Sequence, residues 1–165
     1  MIEKDNIKVR DISQEDNIHL AKIIRSVFEE FDLPKVGTVY SDPTTDRLYE
    51  LFSKQGSKAF VGLINNRVVG CAGIYPTENL PVGYCEFSKF YIIKEARGKG
   101  LGKLLINTSI NAAKQMGYKH IYLESFPALN DALTMYDKLG FVTSSIPLGN
   151  SGHFACSVWK TLNIS

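Results

Sequence analysis

The stretch from residue 58 to residue 126 constrains the fold more than any other part of this chain. Three strand-like segments come first, with no helical segment between them, and strand-like and helical segments then alternate. "KAFVGLI" (58–64) and "RVVGCAGIY" (67–75) flank Asn65-Asn66, a pair that tolerates the left-handed backbone of a two-residue hairpin turn. "GYCEFSKFYII" (83–93) is the third strand. From Gly100 to Met116 the apolar spacing turns helical, through Leu101, Leu104, Leu105, Thr108 and Ala112, and Gly117 stops the helix. "KHIYLESF" (119–126) reads as a strand ended by Pro127. Leu129, Ala132, Leu133, Tyr136 and Leu139 make the next helix face, and "FVTSSIP" and "HFACSVWKTL" close the chain as strands. Consecutive strands followed by alternation imply a mixed sheet with helices packed on it.

The N-terminal part completes the order β-α-α-β-β-β-α-β-α-β-β. "IKVRDI" (7–12) alternates as a half-buried strand does. Ser13 and Asp16 form a capping-box pattern ahead of a helix whose apolar face holds Leu20, Ile23, Ile24, Val27, Phe28 and Phe31. "DLPKVGTVYSDPTTD" (32–46) is a long loop, and "TTDRLYELFSK" reads as a short helix after it. No repeat, low-complexity segment or linker interrupts the 165 residues, so residues 1–165 are expected to be one domain.

The bulk charge excludes some functions. A formal net charge of +2 carries no signature of nucleic-acid binding. No apolar run approaches the length of a membrane span, and the N-terminus is too charged for a secretory signal, so a cytoplasmic protein is expected. Three cysteines, none in a CxxC pair, fit buried thiols in a reducing compartment. Three isolated histidines give no metal-ligand spacing, and no Gly-x-Ser-x-Gly elbow supports a serine hydrolase.

The charge that exists is concentrated in Arg97-Gly98-Lys99-Gly100-Leu101-Gly102-Lys103, between a strand and a helix. This is no P-loop, because Leu104 follows Lys103 where Ser or Thr is required. Nor is it a dinucleotide fingerprint, because the spacing is GxGxG and several strands precede it. The glycines let backbone approach a ligand, and the helix start offers unpaired N–H groups at the positive end of its dipole. That combination favours a phosphate or pyrophosphate, against the alternative of a tight turn with solvated cations.

From about residue 83 to residue 141 the chain resembles the GNAT superfamily of acetyltransferases. The family's Q/R-x-x-G-x-G/A motif is met by Arg97, Gly100 and Gly102, and its later A-x-x-x-Y-x-K-x-G-F segment by Ala132, Tyr136, Lys138, Gly140 and Phe141. The resemblance implies an α/β (α+β) fold: a mixed, mostly antiparallel central sheet of about seven strands, flanked by about four helices and splayed at the fourth and fifth strands. It implies an N-acetyltransferase that moves an acetyl group from acetyl-CoA directly to a primary amine in a ternary complex. The turn from Arg97 to Lys103 would cradle the pyrophosphate, and backbone near Tyr91 and Ile92 would bind the pantetheine arm and thioester carbonyl. Many members carry an Asn that contacts CoA seven residues before the tyrosine. Here Leu129 stands there and Asn130 follows. The resemblance also makes a homodimer plausible. No metal is implied.

For the chemistry, the resemblance makes Tyr136 the acid that protonates the CoA thiolate and Glu86 the general base. On sequence alone Tyr136 could equally be core, and Glu86 a solvated or ion-paired strand residue. Glu124, at the end of the next strand, rivals Glu86. Tyr40, Asp42 and Asp46 in the long loop, with Asn150 and His153 in "PLGNSGHFAC" (147–156), complete the expected acceptor-binding set for a small-molecule or peptide amine, and His153 is a further candidate base. A non-enzymatic acyl-CoA-binding module on the same fold is the alternative.

Overall fold

The computed structural model describes residues 4–165. Seven strands form one sheet: β1 (Ile7–Asp11), β2 (Lys58–Ile64), β3 (Arg67–Tyr75), β4 (Tyr84–Ile92), β5 (His120–Ser125), β6 (Val142–Ser144) and β7 (Val158–Asn163). Their spatial order is β1-β2-β3-β4-β5-β7-β6. Four helices cover it: α1 (Asn17–Glu30), α2 (Leu48–Leu51), α3 (Leu101–Gln115) and α4 (Asn130–Lys138). The predicted element order and mixed sheet are therefore observed. Among the described residues no helix is long and apolar enough to cross a membrane.

Local sequence explains most boundaries. Asn65 and Asn66 both have positive φ (51° and 66°), as a tight turn between β2 and β3 needs. Ser13 and Asp16 form the expected capping box, and Asp16 also takes two hydrogen bonds from the Arg10 guanidinium. Two elements are shorter than predicted. Residues 43–47 form a 3₁₀ turn started by Pro43 and capped by Asp42, whose side chain accepts from the Thr44 amide. Arg47 (φ −138°) breaks the path before α2, so the predicted 44–54 helix keeps one α turn. The last strand begins only at Val158, because residues 153–157 are held in a loop by contacts described below.

The sheet separates two apolar layers. Phe87, Phe90, Leu101, Leu105, Ile106 and Tyr136 belong to the layer beneath α3 and α4. Leu20, Ile24, Phe28, Leu48 and Cys71 belong to the layer beneath α1 and α2. Burying each large side chain contributes about 1.5–3 kcal/mol before entropy is counted. Leu101 seats the start of α3 on the sheet at Gly62, where a Cβ would stand 2.8 Å from its Cδ1.

One pairing positions the site. All neighbouring strands run antiparallel except β4 and β5, which pair in parallel only at Tyr84–His120, Cys85–Ile121 and Glu86–Tyr122. Beyond Glu86 the two strands part, and the edge of β4 that would face β5 is left open. A bulge on the other side of β4 sharpens this. Tyr91 pairs with Cys71 and Ser88 with Gly73, so Lys89 and Phe90 together oppose Ala72, and Lys89 takes φ 58°.

Candidate active site

Three adjacent cavities with lining residues in common lie around the opening between β4 and β5. The first, of about 580 Å³, lies over the glycine turn and is lined by Phe31, Tyr91, Ile92, Gly98, Gly100, Gly102, Lys103, Asn130 and Met135, among others. The second lies deeper and shares Phe90, Tyr91, Leu129 and Ala132 with the first, adding Glu86, Lys89, Glu124, Tyr136, His153 and Cys156. The third opens on the far side and shares Glu86, Ser88, Lys89 and His153 with the second, adding Asp42, Thr77, Glu78, Asn150 and Ser151. A path therefore runs from the turn, past Tyr136 and Glu86, to the loops at 42–44 and 150–153.

The turn is built as an anion cradle. Gly98 and Gly100 have φ 76° and 91°, and a Cβ on either would meet nothing within 4 Å, so both face open space. Leu104 is the first residue of α3 whose amide bonds back, to the Gly100 carbonyl at 3.2 Å. Among the described residues the amides of Leu101, Gly102 and Lys103 have no backbone acceptor. Gly102 instead permits close packing, since a Cβ there would lie 3.3 Å from the Phe90 ring.

The three cations of the turn do not all remain available to a ligand. Arg97 donates two hydrogen bonds to Glu30 (2.7 and 2.8 Å) and one to the Ile92 carbonyl (3.0 Å). It thereby clamps the turn to the end of α1, offsetting a carboxylate at a helix C-terminus. Lys99 pairs with Asp5 at 2.9 Å. Lys103 is the turn's cation without a carboxylate partner among the described residues, and it lines the first cavity.

Glu86 is 7 % exposed, and its Oε1 accepts the Thr77 hydroxyl hydrogen at 2.6 Å. Burial pushes its pKa up to about 7; the nearby Glu124 adds to the rise, while Thr77 and Lys89 oppose it. The solvated-face alternative is thus excluded. Glu124 is occupied otherwise: Ser151 donates to its Oε1 (2.6 Å) and Tyr122 to its Oε2 (2.7 Å), which anchors the 147–153 loop.

Tyr136 is buried among Phe87, Phe90 and Phe141, with ring centroids 5.5–6.3 Å away. Its hydroxyl has no hydrogen-bond partner among the described residues, although it lines the second cavity; burial raises its pKa. Tyr136 is a core residue that also lines a cavity. The ring packs, and the polar tip meets the cavity.

The two loops expected to bind the acceptor meet across the third cavity. His153 Nε2 lies 2.8 Å from Asp42 Oδ2, and the Ala155 amide donates to the Gly37 carbonyl at 3.3 Å. Burial tends to raise Asp42, but hydrogen bonds from His153 and Thr44 and the charge of Lys89 outweigh it, so its carboxyl lies below the usual value. Burial and Lys89 lower His153 despite Asp42. An ionised Asp42 and a neutral His153 require the hydrogen on Nε2. The Asn150 amide donates to the Glu78 carbonyl at 2.7 Å, closing the wall.

Tyr40 corrects an expectation. Its hydroxyl donates to Glu29 at 2.9 Å, its ring lies beneath Arg25 and Lys35, and it lines none of the three cavities. Asp42, expected alongside it, lines the third cavity, whereas Asp46 accepts two hydrogen bonds from Arg25. The cysteines carry no reactive thiol: burial pushes Cys71, Cys85 and Cys156 up to about 12. Sequence reasoning missed Lys89 and Thr77. The signal for Lys89 was available, because Phe90 and Tyr91 follow it without an intervening polar residue and so break the strand alternation.

Comparison with known proteins gives this geometry its context. Residues 23–141 match the model of the Acetyltransferase (GNAT) family. The chain belongs to the GNAT acetyltransferase family. It is 36% identical to the uncharacterized N-acetyltransferase YjgM of Escherichia coli (strain K12), over 91% of this chain and 90% of that protein. The GNAT-family acetyltransferase of Staphylococcus aureus Mu50 superposes with a TM-score of 0.81 at 18% identity, covering 97% of this chain and 100% of that one. YncA of Salmonella typhimurium, solved with its cofactor acetyl-CoA, superposes with a TM-score of 0.76 at 19% identity, covering 96% and 94%. The overall fold is thus shared with these structures, and the family assignment makes this chain an acyltransferase.

Proposed function

We propose that this GNAT protein transfers the acetyl group of acetyl-CoA directly to a primary amine held in the third cavity, with both substrates bound together. The observation that carries the reading is that Glu86, with a pKa near 7, and the unpartnered hydroxyl of Tyr136 line one cavity. That cavity joins the glycine-turn cleft to the loops at 42–44 and 150–153.

The cleft suits the cosubstrate. Three unsatisfied amides and Lys103 fit a pyrophosphate, Asn130 at the start of α4 offers a polar side chain, and the open edge of β4 near Tyr91 and Ile92 suits an amide-bearing arm. Acetyl-CoA, when bound, supplies the acetyl group as a thioester. Glu86 takes a proton from the acceptor ammonium or amine, so that the nitrogen lone pair attacks the carbonyl carbon. Backbone N–H groups of β4 stabilise the oxygen that gains charge. As the carbon–sulfur bond breaks, Tyr136 gives its proton to the leaving sulfur. Burial keeps the phenol protonated and ready to donate, while making it a weaker acid than an exposed tyrosine.

Free cysteines and a need for acetyl-CoA agree with a cytoplasmic setting. Calorimetry with acetyl-CoA, followed by a panel of amines read by thiol release, tests the reading. Binding with amine-dependent release is expected. Binding without release from any amine would favour a non-catalytic acyl-CoA module, and absence of binding would overturn both.

A further inference from the structure

Lys89 is the one buried cation on the path from the cofactor cleft to the acceptor loops. It is 8 % exposed, yet among the described residues its ammonium has neither a hydrogen bond nor a carboxylate partner. No wholly enclosed side-chain nitrogen or oxygen lacks a partner among the described residues, so this ammonium opens onto cavity space. A lysine loses several kcal/mol of solvation when it leaves water without a bonded partner, and the carboxyl groups whose charge state Lys89 influences, Glu86 and Asp42, form no ion pair with it. Such a group in a binding cavity is held ready for an anion.

The backbone shows how the lysine reaches the cavity. Cys85 and Phe87 face the layer beneath α3 and α4, and so do Phe90 and Ile92. Strict alternation would put Lys89 on that face with Phe87. The bulge inserts one residue between Phe87 and Phe90 and turns Lys89 to the opposite face, where it lines the same two cavities as Glu86. The Lys89 carbonyl accepts from the Cys71 thiol at 3.1 Å, which secures the bulge.

We propose that Lys89 anchors a carboxylate of the acceptor, so that the acceptor is an amino-acid-like molecule bearing a carboxylate a few bonds from the amine that takes the acetyl group. This rests on the acetyltransferase reading above. Glu86 and Lys89 are three residues apart on one strand, a span of at most about 10 Å, and their side chains converge on one cavity. An amine at Glu86 and a carboxylate at Lys89 therefore belong to a small zwitterion. The neighbouring charges select the kind of anion. Asp42, Glu78, Glu86 and Glu124 also line these cavities. One ammonium among four carboxyl groups suits a singly charged carboxylate and disfavours a doubly charged phosphate. A diamine's second cation would be repelled by that ammonium and drawn by the carboxyl groups, which makes a diamine the competing acceptor. The charge of Lys89 already acts on Glu86, Asp42 and His153, which places it electrostatically within the acceptor site.

Thiol release measured with acetyl-CoA and matched acceptors tests this. The set comprises the common α- and β-amino acids, their carboxamides, phosphoethanolamine and putrescine. At least one free acid should exceed its own carboxamide about tenfold or more in kcat/KM, and Lys89→Met should reduce that ratio to near one, mainly through KM. CoA affinity by calorimetry, unchanged in Lys89→Met, establishes that the variant is folded; Lys89→Gln serves if it is not. Preference for carboxamides, putrescine or phosphoethanolamine would overturn the proposal, as would an acid preference that survives both variants. If acetyl-CoA binds but no amine releases thiol, the catalytic reading fails separately. The same amino acids titrated into CoA-saturated protein then decide Lys89: binding lost in Lys89→Met supports the anchor, and no binding refutes it.

Discussion

The Thr77 hydroxyl lies 2.6 Å from Glu86 Oε1, in the wall of the third cavity. It is a single donor set against nearly complete burial, and burial wins: the carboxyl titrates near pH 7, where a proton acceptor for an amine works best. The rate should therefore rise with pH through about 7. Thr77→Val removes the bond that favours the charged form, so it should move that limb upward. Glu86→Gln should abolish the limb and slow turnover by about 10²–10⁴. A pH–rate profile with no limb near 7 in the unaltered protein would refute this role.

The same burial has a cost in stability with a definite sign. The folded-state pKa of Glu86 is raised above its ordinary value of 4.5, so the folded protein holds the extra proton between the two. That stabilisation is fully present below about pH 4.5 and is lost as pH rises through about 7. The difference is on the order of 3 kcal/mol at full ionisation. Glu86→Gln should thus melt higher than the unaltered protein at pH 8 and show little gain at pH 4.5. Equal melting shifts at both pH values would contradict the buried charge.

Tyr136→Phe keeps the ring contacts with Phe87, Phe90 and Phe141 and removes only the cavity-facing hydroxyl. Turnover should fall at least tenfold while CoA affinity and melting temperature change little. Unchanged turnover would leave Tyr136 as packing alone.

Gly100 stands at φ 91°, immediately before α3. A side chain there adopts a conformation that costs about 1–2 kcal/mol, and its Cβ would enter the space over the turn. Gly100→Ala should weaken CoA binding about tenfold by calorimetry. Gly117→Ala, at a similarly positive φ on the far end of α3, should leave CoA affinity alone. Equal effects at both sites would assign the loss to α3 and not to the cradle.

Asp42 and His153 join two loops that are 111 residues apart in the chain. Asp42→Asn leaves the loop lengths intact and removes the charge that fixes the histidine hydrogen on Nε2. The acceptor KM should rise several-fold with CoA binding unaffected. An effect confined to CoA affinity would contradict an acceptor role for this pair.

Much of the cofactor side was legible locally. Gly98, Gly100 and Gly102 announce a turn that needs positive φ and close approach, and the apolar spacing after them announces the helix that supplies the amides. Charge was less legible, because a cation's partner need not be near it in sequence. Arg97 meets Glu30 and Lys99 meets Asp5, so the turn keeps less free charge than its composition suggests. Tyr40 and Asp42 show the same limit within one loop: both are polar, but only Asp42 faces the cavity.

The sequence by itself determined the order of strands and helices, the glycine-rich turn with its helix start and the family, because periodicity, glycine backbone freedom and motif spacing are local properties. Tertiary structure alone decided that Glu86 titrates near 7, that the Tyr136 hydroxyl has no partner among the described residues and that Lys89 lines the same cavities as Glu86. Those outcomes depend on desolvation and on partners brought together by the parting of β4 from β5 and the bulge at Lys89, which no neighbouring residue in the chain specifies.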